Sequence, residues 1–435
     1  MPYPKITGLL LIVLFLRFLT ASKIHSSSKR TNLLFTTSIQ EILIAMTPKK
    51  NLLLALVLFI ATNVNATIKP IFDDSTKSYS MPFLTKTPQG NVLLSWTEKD
   101  AQGINAFCFA LSKDNGKTFD DKKIIYSGAG VGNSRLMRAK LLFKKNGTMV
   151  AVFSNRADAP GGKRSIEIVF CESKDNGSTW TAPQSVDSDP TKGIVRGFFD
   201  AAVLANDEIA VTYLKDVAGS TKHEERDLRL VVTKNGVFQP EKVIDPVVCD
   251  CCNISLLVDA KGALNVYYRD NNDDVRDMAK MTSTDNGATF SKPEILHTDN
   301  WLIKGCPHSG AFSSTFGNDN LITWFSGVET EKGIRLVTQA GKRLALINVP
   351  SAKNAYVTAT PQIAVLLWEE NKENNLSQIA FRKVNADKIS ETIWLNDSMN
   401  GTNANGLVSD NQLVVAYEIK NANKKNSIKI SALSL

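Results

Sequence analysis

The sequence predicts an all-β protein, a single β-propeller of four-stranded blades, and three observations support this. From Thr67 onward short apolar alternations follow one another, separated by turn residues, and no stretch keeps a helical period for three turns. A unit of turn, alternation and closing aromatic recurs seven times, with the aromatics at Trp96, Phe153, Tyr213, Tyr268, Trp324, Trp368 and Tyr417. The intervals between them are 57, 60, 55, 56, 44 and 49 residues, the size of one blade.

Each unit reads in the same order. An inner strand and a tight turn lead into the run that ends in the aromatic, as in Gly90 to Trp96. A variable loop, a third strand, a second turn and a fourth strand follow. Seven blades are expected, with six as the alternative if the short fifth and sixth units are parsed differently. The last unit stops after its third strand, Ser427 to Leu435. Its missing strand is assigned to Lys69 to Asp73, whose Lys-Pro-Ile-Phe-Asp resembles Lys292 to Leu296; this pairing would close the ring and remove the exposed edges.

Composition agrees with a folded globular chain: 435 residues, 43% hydrophobic and 22% charged, with 25 Gly and 15 Pro, which excludes disorder and collagen-like repeats. The net charge of +8 is concentrated at the front, where residues 1–66 hold seven Lys/Arg against the single acid Glu41. The remainder carries 44 basic and 42 acidic residues, so no nucleic-acid partner is expected. The front has two apolar runs, Gly8 to Leu19 and Leu52 to Ala61, both shorter than the roughly 20 residues that span a bilayer. Met46, Lys49, Lys50, the second run and Val64-Asn65-Ala66 together have the form of a signal peptide. The expected organisation is therefore an over-extended start at 1–45, a signal peptide at 46–66 and a mature propeller at 67–435. A membrane-anchored N-terminus using the first run is the alternative. No later run is apolar enough to span a membrane, so an exported, periplasmic or extracellular monomer is expected.

Three turns between third and fourth strands share a tighter pattern: Ser112-Lys-Asp114-Asn-Gly116-Lys-Thr118-Phe119, Ser173-Lys-Asp175-Asn-Gly177-Ser-Thr179-Trp180 and Ser283-Thr-Asp285-Asn-Gly287-Ala-Thr289-Phe290. Asp accepts hydrogen bonds from turn amides, Gly takes positive φ and the aromatic folds back over the turn. Val232 to Phe238 is a worn copy. These residues resemble the Asp-box, or bacterial neuraminidase, repeat of sialidase-like β-propellers, over nearly all of Thr67 to Leu435. The resemblance implies that the boxes are structural and lie far from the active site.

Alternating strand direction puts the loops into inner strands and the loops after the aromatics on one face, opposite the Asp boxes. On that face Cys249-Asp250-Cys251-Cys252 precedes the fourth inner strand, and Gly305-Cys306-Pro307-His308 the fifth. Four sulfurs and the His308 imidazole are expected to converge there. They suit a structural disulfide from Cys306, a thiolate and imidazole site for copper or zinc, or a redox-active thiol. Cys108 and Cys171 lie in apolar alternations and read as core.

A second set is charged. Arg135, Arg138 and Arg196 precede inner strands, Asp200 lies in one, and Arg269, Asp270, Arg276 and Asp277 flank the loop after Tyr268. Arginines suit an anionic glycan or another small acidic ligand, and Asp100 or Glu98, with Tyr268, would supply the acid chemistry of an exo-alpha-sialidase type glycoside hydrolase. Surface ion pairing is the competing reading of these residues. The sialidase resemblance implies an arginine in a Tyr-Arg-Ile-Pro stretch of the first blade, but here Tyr79-Ser80-Met81-Pro82 places Ser80 at that position. Three functions stay open on the sequence: a binding module for a glycan or soft metal, a hydrolase with a rearranged site, and an interaction scaffold in the cell envelope.

Overall fold

The computed structural model describes residue 72 and residues 74–435, apart from 159–163, 190, 192, 218, 221–224, 373, 374, 386, 387 and 410. The segments 1–45 and 46–66, and most of the expected closing strand Lys69 to Asp73, lie outside the described residues.

Seven antiparallel sheets follow one another along the chain, so the seven-unit reading holds over the six-unit one. Blade 1 runs from the centre outward as Ser78–Lys86, Val92–Lys99, Asn105–Ser112 and Lys123–Gly128. The inner strands of blades 2 to 7 are Lys140–Phe143, Arg196–Val203, Ser255–Val258, Phe312–Phe316, Lys353–Ala359 and Gly401–Ser409. Blade 7 has three described strands, the last being Asn426–Ser434. Among the described residues there is no α-helix, and no helix is long and apolar enough to cross a membrane.

The closing aromatics explain the packing. All seven lie on second strands, at most 1% exposed. A second strand is covered on both faces by neighbouring strands and blades, so it reads as a nearly continuous apolar run rather than a strict alternation. The result is no single core but a ring of clusters, one at each blade boundary. Tyr79, Trp96, Val414, Ala416 and Ile428 form the boundary between blades 1 and 7, with Phe72 edge-on to Tyr79 and Trp96 at 5.2 and 5.1 Å.

Polar staples join consecutive inner strands. Leu84 N donates to Asn405 Oδ1 at 2.7 Å, Leu256 N to Asp200 Oδ2 at 3.0 Å, Gly310 N to Asn253 Oδ1 at 3.0 Å and Val408 N to Thr358 Oγ1 at 3.2 Å. Each satisfies a backbone donor that a narrow inner strand would leave buried and unpaired.

The three Asp boxes have the expected geometry. In the first, Ser112 Oγ donates to Asp114 Oδ1 at 2.8 Å and accepts from Gly116 N at 2.8 Å, while Thr118 N and Oγ1 donate to the two Asp114 oxygens at 2.8 and 2.6 Å. Gly116 takes φ +82°, and a Cβ there would sit 2.7 Å from Val414 Cγ1 of blade 7, so the turn also packs across a blade boundary. Phe119, Trp180 and Phe290 pack on the boundary clusters. In the worn copy, Glu208 supplies the missing carboxylate from a different turn: it accepts from Asn235 N at 2.7 Å, Gly236 N at 3.2 Å and the Thr233 hydroxyl.

Candidate functional site

Six of the seven closing aromatics carry polar tips, Phe153 being the exception, and five of the six have a carboxylate partner. Trp96 Nε1 donates to Glu98 at 3.4 Å, Tyr213 Oη to Glu241 at 2.6 Å, Tyr268 Oη to Asp245 at 2.5 Å, Trp324 Nε1 to Asp299 at 2.9 Å and Trp368 Nε1 to Glu370 at 3.1 Å. Glu98 and Tyr268 are thus members of a repeated aromatic and carboxylate pair. Glu98 is 3% exposed and also holds Lys77 and Lys122, each at 2.6 Å. Burial pushes its carboxyl up, but the two lysines outweigh burial and leave it below the usual carboxylate value. Asp100 caps its own loop, accepting from Gln102 N at 3.0 Å and Ile104 N at 2.8 Å. Glu98 therefore lies on the opposite side of its ordinary value from the raised pKa that a glycosidic acid needs.

The charged residues separate into local structures. Arg196 is buried against Asp187 and reaches Asp189 at 3.3 Å. Asp200 holds Lys140 at 2.7 Å in addition to its staple. Arg269 donates to the Ser309 carbonyl from Nε and Nη2, at 3.0 and 2.7 Å, and its guanidinium lies 5.0 Å over Trp301. Asp277 accepts from Asn300 N and Trp301 N at 2.9 and 3.1 Å, shaping the loop that leads to Cys306.

Sequence reasoning overlooked Glu369 and set Glu418 aside, because strand alternation points it away from Tyr417; both occupy the position directly after the closing aromatic, as Arg269 does. All three reach across to the next blade: Glu369 accepts from Asn403 N, and Glu418 from Met81 N at 2.8 Å. Comparing that one position across the seven repeats would have found them. Burial raises both carboxyls above their ordinary values. Both bond Asn403, which with Arg135, Arg138, Asn253, Phe312 and Tyr356 lines a cavity of about 20 Å³. That volume holds about one water molecule. A larger cavity, about 290 Å³, opens between Asp245–Val247 and Asp270–Asn272, beside the Tyr268 hydroxyl.

The loops that converge without closing their own hydrogen bonds are the two cysteine loops. Cys249, Cys251 and Cys252 are each at most 2% exposed, and Cys249 Sγ lies 4.0 Å from Cys251 Sγ and 3.6 Å from Cys252 Sγ. All six cysteines are unbridged. Cys306 Sγ sits 3.7 Å from both Asp250 oxygens, and the donor atoms of Cys251, Cys306 and His308 lie within 4.8 Å of one another. Four thiols and one imidazole thus share a corner between blades 4 and 5. Cys108 and Cys171 lie apart, fully buried in strands.

Cations surround this corner. Arg276 is 1% exposed, with Nη1 3.8 Å from Asp250 Oδ1, and its Nε and Nη1 have no hydrogen-bond partner. Arg226 donates to the Asp250 carbonyl, and Arg135 to the His308 carbonyl at 3.1 Å. Hydrogen bonding with Cys251 and Cys252, helped by Arg269 and Arg276, holds the Cys249 thiol well below its usual value. Burial pushes Cys252 up to about 12, as it does Cys108. The trio therefore favours one thiolate, steadied by two thiols and a guanidinium.

The sulfur spacing fits a metal ion. Thiolates at about 2.3 Å from one tetrahedral ion stand about 3.8 Å apart, which the 3.6 and 4.0 Å separations bracket. Arg276, 3.8 Å from Asp250 through Nη1, interacts electrostatically with Cys249 and Cys251, where thiolate charge would gather.

Comparison with known proteins places this geometry on a known scaffold. Residues 152–354 match the BNR repeat-like domain. No curated protein sequence matches the chain. Among solved structures, a protein of unknown function from Dyadobacter fermentans is 16% identical, with a TM-score of 0.52 over 84% of this chain and 97% of its own. A Hadza microbial sialidase is 14% identical with a TM-score of 0.47, and the match covers 82% of this chain and 66% of that one. Trypanosoma rangeli sialidase in complex with the inhibitor DANA is 12% identical with a TM-score of 0.47, over 82% of this chain and 55% of that one. With Asp boxes in their expected hairpins and seven blades in the ring, the chain is a seven-bladed β-propeller whose residues 152–354 match the BNR repeat-like domain.

Proposed function

We propose that this propeller is an exported binding module that takes a soft metal ion, copper or zinc, at the cysteine cluster of its loop face. The observation that carries the reading is the trio of buried sulfurs spaced 3.6 and 4.0 Å around Cys249, with Cys306 and His308 adjoining. Soft thiolate and imidazole donors select such ions, and the guanidinium groups of Arg276, Arg226 and Arg135 balance the thiolate charge. Export rests on the signal-like pattern of residues 46–66. The test is equilibrium dialysis of the reduced protein against zinc or copper(I), followed by metal analysis. Uptake by the native chain and none by a Cys249→Ser/Cys251→Ser/Cys252→Ser variant is expected; equal uptake by both would refute the reading.

A glycan is the second reading, and the 290 Å³ cavity beside Tyr268 and Asp245 supports it. Burial raises the Asp245 carboxyl, Tyr268 hydrogen-bonds it, and the volume is near the lower bound for a small-molecule site. Turnover of a fluorogenic sialoside that is abolished by Asp245→Asn would favour it over metal binding. The cavity of about 20 Å³ beside Arg135 and Arg138 has no room for a sugar ring.

A further inference from the structure

Resting on the reading of the cysteine cluster as a metal site, we propose that the cluster holds two monovalent copper ions bridged by the Cys251 thiolate. Its donors fall into two sets of three. Cys249, Cys251 and Cys252 form a buried set, and Cys251, Cys306 and His308 form one that opens to solvent. Within each set the donor atoms lie within 4.8 Å of one another, and Cys251 is the member common to both. A thiolate sulfur has lone pairs enough to serve two ions at once.

The donor count selects the metal. Structural zinc takes four protein ligands, and each set here offers three. Copper(I) is soft, prefers thiolate and imidazole, and has no need of a fourth donor. His308 Nδ1 lies 3.0 Å from the Cys306 carbonyl, and the tautomer that donates there leaves the Nε2 lone pair free for an ion. His308 itself is held in the left-handed region at φ 49°, a backbone conformation that a non-glycine residue keeps only when its surroundings enforce it.

Charge agrees with a pair of monovalent ions. Four thiolates outnumber two such cations, leaving a surplus of negative charge. The buried Arg276 beside Asp250, the Arg226 bond to the Asp250 carbonyl and the Arg135 bond to the His308 carbonyl bring positive charge from three separate parts of the chain toward that surplus. The exposed set would load from solvent or from a donor protein, and the buried set would retain.

The test is an anaerobic titration of the reduced, full-length chain with copper(I) against a chromogenic copper(I) chelator, run beside Cys306→Ser/His308→Ala. Both replaced side chains are exposed, so the variant keeps its fold, and a matching thermal transition verifies this. Two equivalents are expected in the native chain and one in the variant. X-ray absorption of the loaded native chain is expected to show a copper to copper shell that the variant lacks. One equivalent in both chains, with no such shell, would overturn the bridged pair and leave the metal site standing. No copper bound by either chain would overturn the metal reading itself.

Discussion

The Asp-box face and the cysteine face of the ring are both rich in polar side chains, but only the Asp boxes satisfy their charged groups within a single turn. Around Asp114, Asp175 and Asp285 each carboxylate oxygen is bonded within its own eight-residue turn. The cysteine corner is assembled from loops of neighbouring blades, and Arg276 keeps two buried donors without a partner there. Polar groups consumed within one turn hold a scaffold together. Groups that converge from separate blades and stay unsatisfied are held ready for something else.

The comparison breaks first at the cysteines. Cys252→Ser removes a donor from the buried set and should lower metal affinity by at least about 100-fold, more than a change outside the ligand shell would cost; competition with a chelator of known strength measures it. Arg276→Met keeps the volume and removes the charge, so affinity should fall by about tenfold while the thermal transition of the metal-free protein hardly moves. The converse change belongs to the other face. Ser283→Ala leaves Gly287 N without its acceptor and should cost about 1–2 kcal/mol by urea unfolding, with metal affinity unchanged.

The smallest expected effect concerns pH. Hydrogen bonds from Thr179 and Thr289 hold Asp175 and Asp285 below the usual carboxylate value, so the stability these boxes lend is complete above that range and is lost as pH falls through the folded value. Glu369 is the opposite case. Burial raises it, so its ionisation costs stability as pH rises through its folded value. Glu369→Gln should therefore raise the melting temperature at pH 8 by roughly a few degrees, and the gain should vanish near pH 4. An equal gain at both values would remove ionisation as the cause.

Much of the fold was legible in the sequence because a propeller repeats its signals. The seven aromatics mark second strands buried on both faces, and the Ser-x-Asp-x-Gly-x-Thr pattern describes a turn that satisfies itself. Contacts between repeats were not legible. That Glu208 completes the worn box, or that Glu369 and Glu418 clamp the following blade, depends on pairings across 27, 34 and 337 residues. The cysteines were visible as two loops in equivalent positions of adjacent blades. The role of Arg276 was not, because its pairing with Asp250 and its closeness to Cys249 arise only in the folded ring. Glu98 and Tyr268, singled out as acid chemistry, turn out to share a pairing with other closing aromatics, a pattern that only the folded ring displays.

The most direct test is native mass spectrometry with metal analysis of the protein, before and after thiol blocking under native conditions. The account predicts bound copper or zinc that is lost together with modification of Cys249, Cys251, Cys252 and Cys306. A metal-free protein whose mass is lower by the hydrogens of one or two disulfides would contradict it, making the same cysteines staples between blades 4 and 5.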